Sequence, residues 1–278
     1  RSFRKKADLL AGLPATDNAA DVLTAPDVDV VAELIGGIDP AHEFVREALN
    51  QGKAVVTANK ALLARHGNEL LSLAREKRLP VGFEAAVAGA LPVIQNMRRA
   101  FAADDIRSMT GILNGTSNFI LTRMLEDDME YDDALRLAQE EGFAAADPTF
   151  DVGGYDAAQK LALLSALAFD THIQESAVAV EGIERIRHQD LTFAASLGRV
   201  IRPLALARVM PDGRLKLRVH PAMISRQHPL AGARNETNAL YLDGSHSGPA
   251  LITGPGAGSL PTASAVVSDL INEGSSLI

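Results

Sequence analysis

VDVVAELIGGIDPAHEFVREALNQGKAVVTANK, residues 28–60, holds the alternation that sets the fold. Residues 28–33 form a short apolar run that stops at Leu34-Ile35-Gly36-Gly37, the pattern of a buried strand and a turn. Asp39 followed by Pro40 opens a helix, with Asp as N-cap and Pro at the first helical position. That helix runs to Asn50, and Gly52 stops it. Residues 53–57 (KAVVT) are the next strand. Working outward, residues 66–77 read as a helix with Leu70, Leu71 and Ala74 on its apolar side, and residues 80–85 as a third strand. Strand–helix–strand–helix–strand with short links implies a parallel sheet with right-handed crossovers. The fold class expected is α/β, and this part looks like the second half of a doubly wound, Rossmann-like nucleotide-binding domain.

The middle of the chain changes character. Residues 118–126, 132–141 and 155–168 read as helices. Residues 201–210 and 215–220, joined by Pro211-Asp212-Gly213, read as a hairpin. Further strands are expected at 239–242 and 250–253, then a Gly254-Pro255-Gly256-Ala257-Gly258 loop and a helix over 261–272. Helices plus an antiparallel sheet make an α+β region. The expected division is 1–86 for a partial dinucleotide-binding domain, 87–248 for an α+β substrate-binding and dimerisation domain, and 249–278 for a strand–loop–helix returning to the first domain. The chain opens at Arg1 in a polar, helix-like stretch (RSFRKKADLLAGL), so further residues are expected to precede it.

Composition excludes several functions. A hydrophobic share of 47% in 278 residues is that of a folded chain with a sizeable core. The net charge of −8 argues against a chain built chiefly to hold nucleic acid. Without cysteine there is no thiolate nucleophile, disulfide or Cys-ligated metal. No apolar run approaches the roughly 18 residues of a membrane span, and no secretory signal is visible, so a cytoplasmic protein is expected. Neither HExxH nor GxSxG occurs, and the seven histidines show no metal-ligand spacing along the chain.

Candidate chemistry lies in a few short stretches. Lys60 follows the strand ending at Thr57, where open α/β sheets place their ligand crevice. Read alone, an ordinary surface lysine near a loop is the simpler account of that position. Asp156 and Lys160 stand i,i+4 on one helix face ahead of an apolar run. A carboxylate beside an ammonium can grip an amino acid's amine and leave the lysine to move protons. A solvated salt bridge of a few tenths of a kcal/mol explains the spacing too. Asp147 and Asp151 add acidic density, as a cation grip or as helix caps. Residues 84–92 end a strand in small side chains, suited either to turning carbonyls toward a ligand or to close packing. In Gly111-Ile112-Leu113-Asn114-Gly115-Thr116-Ser117-Asn118, Thr116 or Ser117 is the expected helix cap. The 254–258 glycine loop could present amides to a phosphate or ribose.

Read jointly, seven ordered blocks resemble the homoserine dehydrogenase family: ELIGG (33–37), GKAVVTANKALLA (52–64), FEAAVAGALP (83–92), GILNGTSNFIL (111–121), ADPTFDVGGYDAAQKL (146–161), EGI (181–183) and GPGAGSLPTASAVVSD (254–269). They cover roughly residues 28–270. The resemblance implies interconversion of L-homoserine and L-aspartate 4-semialdehyde with NAD or NADP in the aspartate pathway to threonine, methionine and isoleucine. It implies a homodimer or homotetramer with no nucleic-acid or membrane partner. It makes Lys160 the principal acid/base and Lys60 its partner near cofactor and substrate. Asp156 would bind the substrate amine and Asp151 would support it. Gly36, Thr57, Lys60 and Gly256 would lie along the cofactor. Glu84 and the carbonyls of Val87, Gly89 and Leu91 would match a structural Na⁺ or K⁺ site. Because lysine titrates near 10.4, one of the two amines is expected to be depressed by its surroundings.

Two departures accompany the resemblance. The family's GxGxxG phosphate loop does not occur in these residues. Ala145 stands where the family usually carries a glutamate that contacts substrate. Loss of one charged contact costs about 1.5–3 kcal/mol. The alternative is therefore a catalytically weakened paralogue that binds a nucleotide or a partner.

Overall fold

Three short strands, β1 (Val30–Glu33), β2 (Ala54–Thr57) and β3 (Val81–Gly82), lie parallel in the order β1-β2-β3, with Val31 opposite Val55 and Val55 opposite Val81. All four residues of β2 are buried, as a central parallel strand covered on both faces requires. Helix α1 (Ala19–Leu23) precedes the sheet, α2 (Ala41–Asn50) and α3 (Lys60–Lys77) are its crossovers, and α4 (Glu84–Val87) follows it. The computed structural model describes residues 12–275; the expected helix-like stretch at 1–11 lies outside the described residues.

The second half is built on a six-stranded sheet. Its strands are β4 (Ile106–Ile112), β5 (Ala179–Val180), β6 (Arg199–Val209), β7 (Leu215–Ser225), β8 (Thr237–Gly244) and β9 (Gly248–Pro255), in the order β5-β7-β6-β4-β8-β9. Only the β5–β7 pair is parallel. Helix α5 (Val93–Gln95) runs into a π-turn at Asn96–Ala100. Helices α6 (Gly115–Glu126), α7 (Tyr131–Glu140), α8 (Thr149–Val152), α9 (Tyr155–Ala168) and α10 (His188–Ser196) follow in sequence. Helix α11 (Ser259–Ser275) leaves β9, an edge strand of the second sheet, and packs across β1, β2, β3 and α4 of the first.

One apolar core joins the two halves. It includes Val55 of β2, Leu62 of α3, Leu161 and Leu164 of α9, Met109 of β4 and Leu240 of β8. Full burial of each leucine contributes about 1.5–3 kcal/mol. Helices α3 and α9 pack together in this core, so the residues that begin them are brought close.

Several boundaries differ from the sequence reading. Helix α3 begins at Lys60, six positions before the expected 66, because Asn59 caps it by accepting from Leu62 N at 3.1 Å. Lys60 therefore sits in a helical first turn and not in a loop. Pro40 occupies the N-cap of α2, without a side-chain cap bond. The third strand keeps only two residues, since the chain turns into α4 at Glu84. Asn114, and neither Thr116 nor Ser117, caps α6, accepting from Ser117 N at 2.8 Å. Gly254 and Pro255 are extended in β9, so the glycine loop is shorter than expected.

Candidate active site

The turn from α8 to α9 is shaped by two glycines. Gly154 is the N-cap of α9 at φ +85°, a left-handed backbone that glycine adopts without steric cost. A Cβ on Gly153 would come 2.6 Å from the Thr149 carbonyl oxygen. This turn delivers Asp156, 6% exposed, to the junction of the two halves.

Two amines meet on that carboxylate. Lys160, one turn further along α9, pairs with Asp156 Oδ2 at 2.8 Å and donates to the Leu113 carbonyl at 2.8 Å. Lys60, from the start of α3, donates to Asp156 Oδ1. Asn114 Nδ2 donates to Asp156 Oδ2 at 3.0 Å and to Asp151 Oδ1 at 2.8 Å. Burial alone would raise the Asp156 carboxyl; the Lys160 and Lys60 ammoniums outweigh it and hold it at about 2. The Phe150 ring lies 5.1 Å from Lys60 Nζ and stacks against Tyr155. Both rings are exposed, as is expected of apolar surface at the mouth of a site.

The first half contributes an edge. Glu33, at the end of β1, accepts from the amides of Ile35 (2.8 Å) and Gly36 (3.3 Å) and from the Thr57 hydroxyl (2.7 Å). Asn59 Nδ2 donates to the Gly37 carbonyl at 2.7 Å, tying this turn to the residue before Lys60. Gly36 and Gly37 have positive φ and nothing within 4 Å of where a Cβ would stand. Leu34 and Ile35 are exposed beside them. This open rim lies past the carboxyl ends of parallel strands, the ligand side of such sheets.

A seam joins the halves. A Cβ on Gly89 would stand 2.7 Å from the Gly256 backbone, and one on Gly256 would overlap the Asn238 amide. Ala90 N donates to the Pro255 carbonyl at 3.4 Å. Asn238 Nδ2 donates to the same Leu113 carbonyl that holds Lys160, at 3.4 Å. Glu84 is buried, and its carboxylate accepts from Ile94 N (2.8 Å) and Gln95 N (3.0 Å). Burial raises its carboxyl, and the neighbouring Asp269 charge adds to the rise. The Leu91 carbonyl accepts from Val93 N at 2.7 Å.

Of the residues singled out in the sequence, Lys60, Lys160 and Asp156 are in contact, with Asp151 joined through Asn114. Gly36 borders the first-half rim, Thr57 is buried beneath it with its hydroxyl bonded to Glu33, and Gly256 lies at the seam with Gly89. Ala145 is exposed in the loop after α7, its carbonyl accepting from Gln139 Nε2 at 3.1 Å. Asn114, Asn59 and Glu33 were not singled out for the site. The two asparagines do carry a legible mark, Asn ahead of a helical run, but their tertiary partners do not. A cavity of about 620 Å³ opens between the later turns of α3 and α9; Lys60, Asp156 and Lys160 are not among its walls. The histidines show no metal-ligand spacing along the chain, yet the fold brings His42 of α2 and His66 of α3 together, stacked with ring centroids 4.0 Å apart.

A parallel nucleotide-type half, a mixed-sheet half and an amine–carboxylate–amine group where they meet define a two-lobed protein of the dinucleotide-binding class. Residues 2–84 match the family described as homoserine dehydrogenase, NAD binding domain, and residues 92–271 match homoserine dehydrogenase. The homoserine dehydrogenase of Pseudomonas aeruginosa is 47% identical over 259 residues, 93% of this chain and 59% of that protein. The crystal structure of a homoserine dehydrogenase from Thiobacillus denitrificans superposes with a TM-score of 0.91 at 46% identity, over 98% of this chain and 63% of that one. A hyperthermophilic archaeal homoserine dehydrogenase in complex with NADPH superposes at 0.81 with 26% identity, over 99% of this chain and 81% of that one. The chain belongs to the homoserine dehydrogenase family. It spans about three fifths of the length of the curated relatives it matches. Among the described residues no helix is long and apolar enough to cross a membrane.

Proposed function

We propose that the protein is an NAD(P)-dependent homoserine dehydrogenase, interconverting L-homoserine and L-aspartate 4-semialdehyde in the cytoplasmic aspartate pathway. The observation that carries this reading is the meeting of Lys60 and Lys160 on Asp156 beside the open edge of the nucleotide-type sheet. When bound, the nicotinamide supplies or accepts the hydride. The residues fit such a group: Gly36 and Gly37 leave room for close backbone approach, Leu34 and Ile35 offer apolar cover, and Gly256 stands across the seam.

Asp156 orients the substrate. Its carboxylate matches the α-ammonium of homoserine, and Asn114 holds it in place together with Asp151. A substrate ammonium entering at Asp156 competes with the lysines for the same two oxygens. That competition frees one amine to face the substrate's oxygen. In reduction Lys160, as an ammonium, donates a proton to the developing alkoxide; in oxidation its neutral form removes the hydroxyl proton. Lys60, over Phe150, keeps a second positive charge on the substrate side.

A structural Na⁺ or K⁺ belongs to the same proposal. Glu84 and the carbonyls of Val87, Gly89 and Leu91 are hard oxygen donors of the kind such cations take. A buried carboxylate beside Asp269 is stabilised by a nearby cation. A dimer or tetramer of the chain is also proposed, supported by Met223 and Leu251 exposed on the second sheet. The domain division at 86 and 248 is supported by the two separate sheets and by the return of α11 to the first.

The test is a steady-state assay of homoserine-dependent reduction of NAD⁺ and NADP⁺. Turnover well above the buffer rate is expected with at least one of them. Nucleotide binding without turnover would instead favour the weakened paralogue.

A further inference from the structure

We propose that His42, His66 and Glu69 form a second binding site, for one divalent transition-metal ion of the zinc class. His42 lies in the first turn of α2; His66 and Glu69 lie i,i+3 on α3. The two imidazoles stack with 25° between their planes. His42 Nε2 is 3.1 Å from both Glu69 carboxylate oxygens, and His66 Nδ1 is 3.5 Å from Oε2. One donor atom from each residue lies within 4.8 Å of the others.

That donor set suits a borderline metal. Two imidazole nitrogens and one carboxylate oxygen are an established three-ligand combination for zinc, with water in the fourth position. Tetrahedral bonds of 2.0–2.1 Å place donors about 3.3 Å apart, so donors that now lie within 4.8 Å must close by up to about 1.5 Å, and the two stacked rings must turn so that both nitrogen lone pairs meet at one point. Both histidine side chains are largely covered, at 16% and 26% exposed, while Glu69 at 50% leaves the water side open. The scaffold is ordered on both sides: His42 N donates to the Ile38 carbonyl at 2.8 Å, and α3 is an 18-residue helix. On metal binding each ring keeps a single proton, on the nitrogen facing away (His42 Nδ1, His66 Nε2). Both then ligate as neutral imidazoles, so with the carboxylate the ligand set carries one negative charge and the zinc-loaded site one positive charge. None of the three touches the Lys60–Asp156–Lys160 group, so this inference does not rest on the proposed activity. Occupancy would clip α2 to α3 at a residue whose amide is bonded to Ile38, which follows the Gly36-Gly37 turn.

The experiment is calorimetric titration of the whole chain with Zn²⁺ at pH 7.5, beside His42→Gln, His66→Gln and Glu69→Gln. The last retains bulk should a histidine variant fold poorly, and folding is checked by melting in EDTA. One site per chain is expected, weakened at least tenfold by each substitution. His246→Gln, on a remote surface contact with Asp104, should leave it unchanged. Absence of binding at about 100 µM Zn²⁺, or binding that the His42, His66 and Glu69 substitutions leave intact, overturns the proposal.

Discussion

Lys60 and Lys160 donate to opposite oxygens of one carboxylate, that of Asp156. Neither lysine is deeply buried, so both keep access to an incoming ligand while sharing a fixed anchor. Lys160 is also held by the Leu113 carbonyl, which gives it the more defined position and suits it to proton transfer. Lys160→Ala is expected to lower kcat roughly 10²–10⁴-fold, the usual size of a general acid–base contribution, with an unchanged far-ultraviolet spectrum. Wild-type turnover in that variant would remove Lys160 from the role.

Acid stability follows from the same carboxyl. Asp156 is held at about 2 against an ordinary 3.8, so its charge stabilises the folded state above the higher value. That stability is lost as pH falls from about 4 through about 2. Urea unfolding of the wild type should weaken through this window more steeply than that of Asp156→Asn. Parallel slopes would show that the two ammoniums do not act on Asp156.

Asn114 has two separable duties. Its oxygen caps α6, and its amide donates to Asp151 and Asp156. Asn114→Ala should cost about 1–2 kcal/mol in chemical unfolding through the lost cap and the unpaired carboxylates. Asn114→Asp keeps a capping oxygen but sets a third negative charge beside the other two. It should recover part of the stability while raising the KM for homoserine; equal KM values in the two variants would deny Asn114 its positioning part.

The first sheet was legible because its signals are local. Residues 28–33 and 53–57 are apolar runs closed by glycine or a polar break, and they became β1 and β2 nearly as read. The start of α3 was not legible, because Ala61-Leu62-Leu63-Ala64 looks like a continuation of apolar strand sequence until the Asn59 cap is recognised. The central place of β4 between β6 and β8 depends on pairings more than ninety residues apart, which no local pattern carries. The lysine–aspartate pairing within α9 is written in its i,i+4 spacing. The arrival of Lys60 depends on α3 packing against α9, and only the joint resemblance of the seven blocks pointed to it. His42 and His66 went unread for the same reason, since they meet across two helices.

The seam makes a further prediction. Gly89 has φ +63° and stands against the Gly256 backbone. Gly89→Ala adds a strained φ and a methyl that backbone must yield to, and is expected to cost about 1–3 kcal/mol in chemical unfolding. On the proposal that Gly256 lies along the cofactor, nucleotide affinity measured by fluorescence should fall as well. Unchanged stability would mean that the two loops do not meet as described.

The most direct test of the shared carboxylate is a double-mutant cycle in kcat/KM for homoserine, using Lys60→Met, Lys160→Met and the pair. If both amines work through Asp156 in one site, the double variant should lose far less than the product of the two single losses. Losses that multiply independently would contradict a single site built from residues 60, 156 and 160.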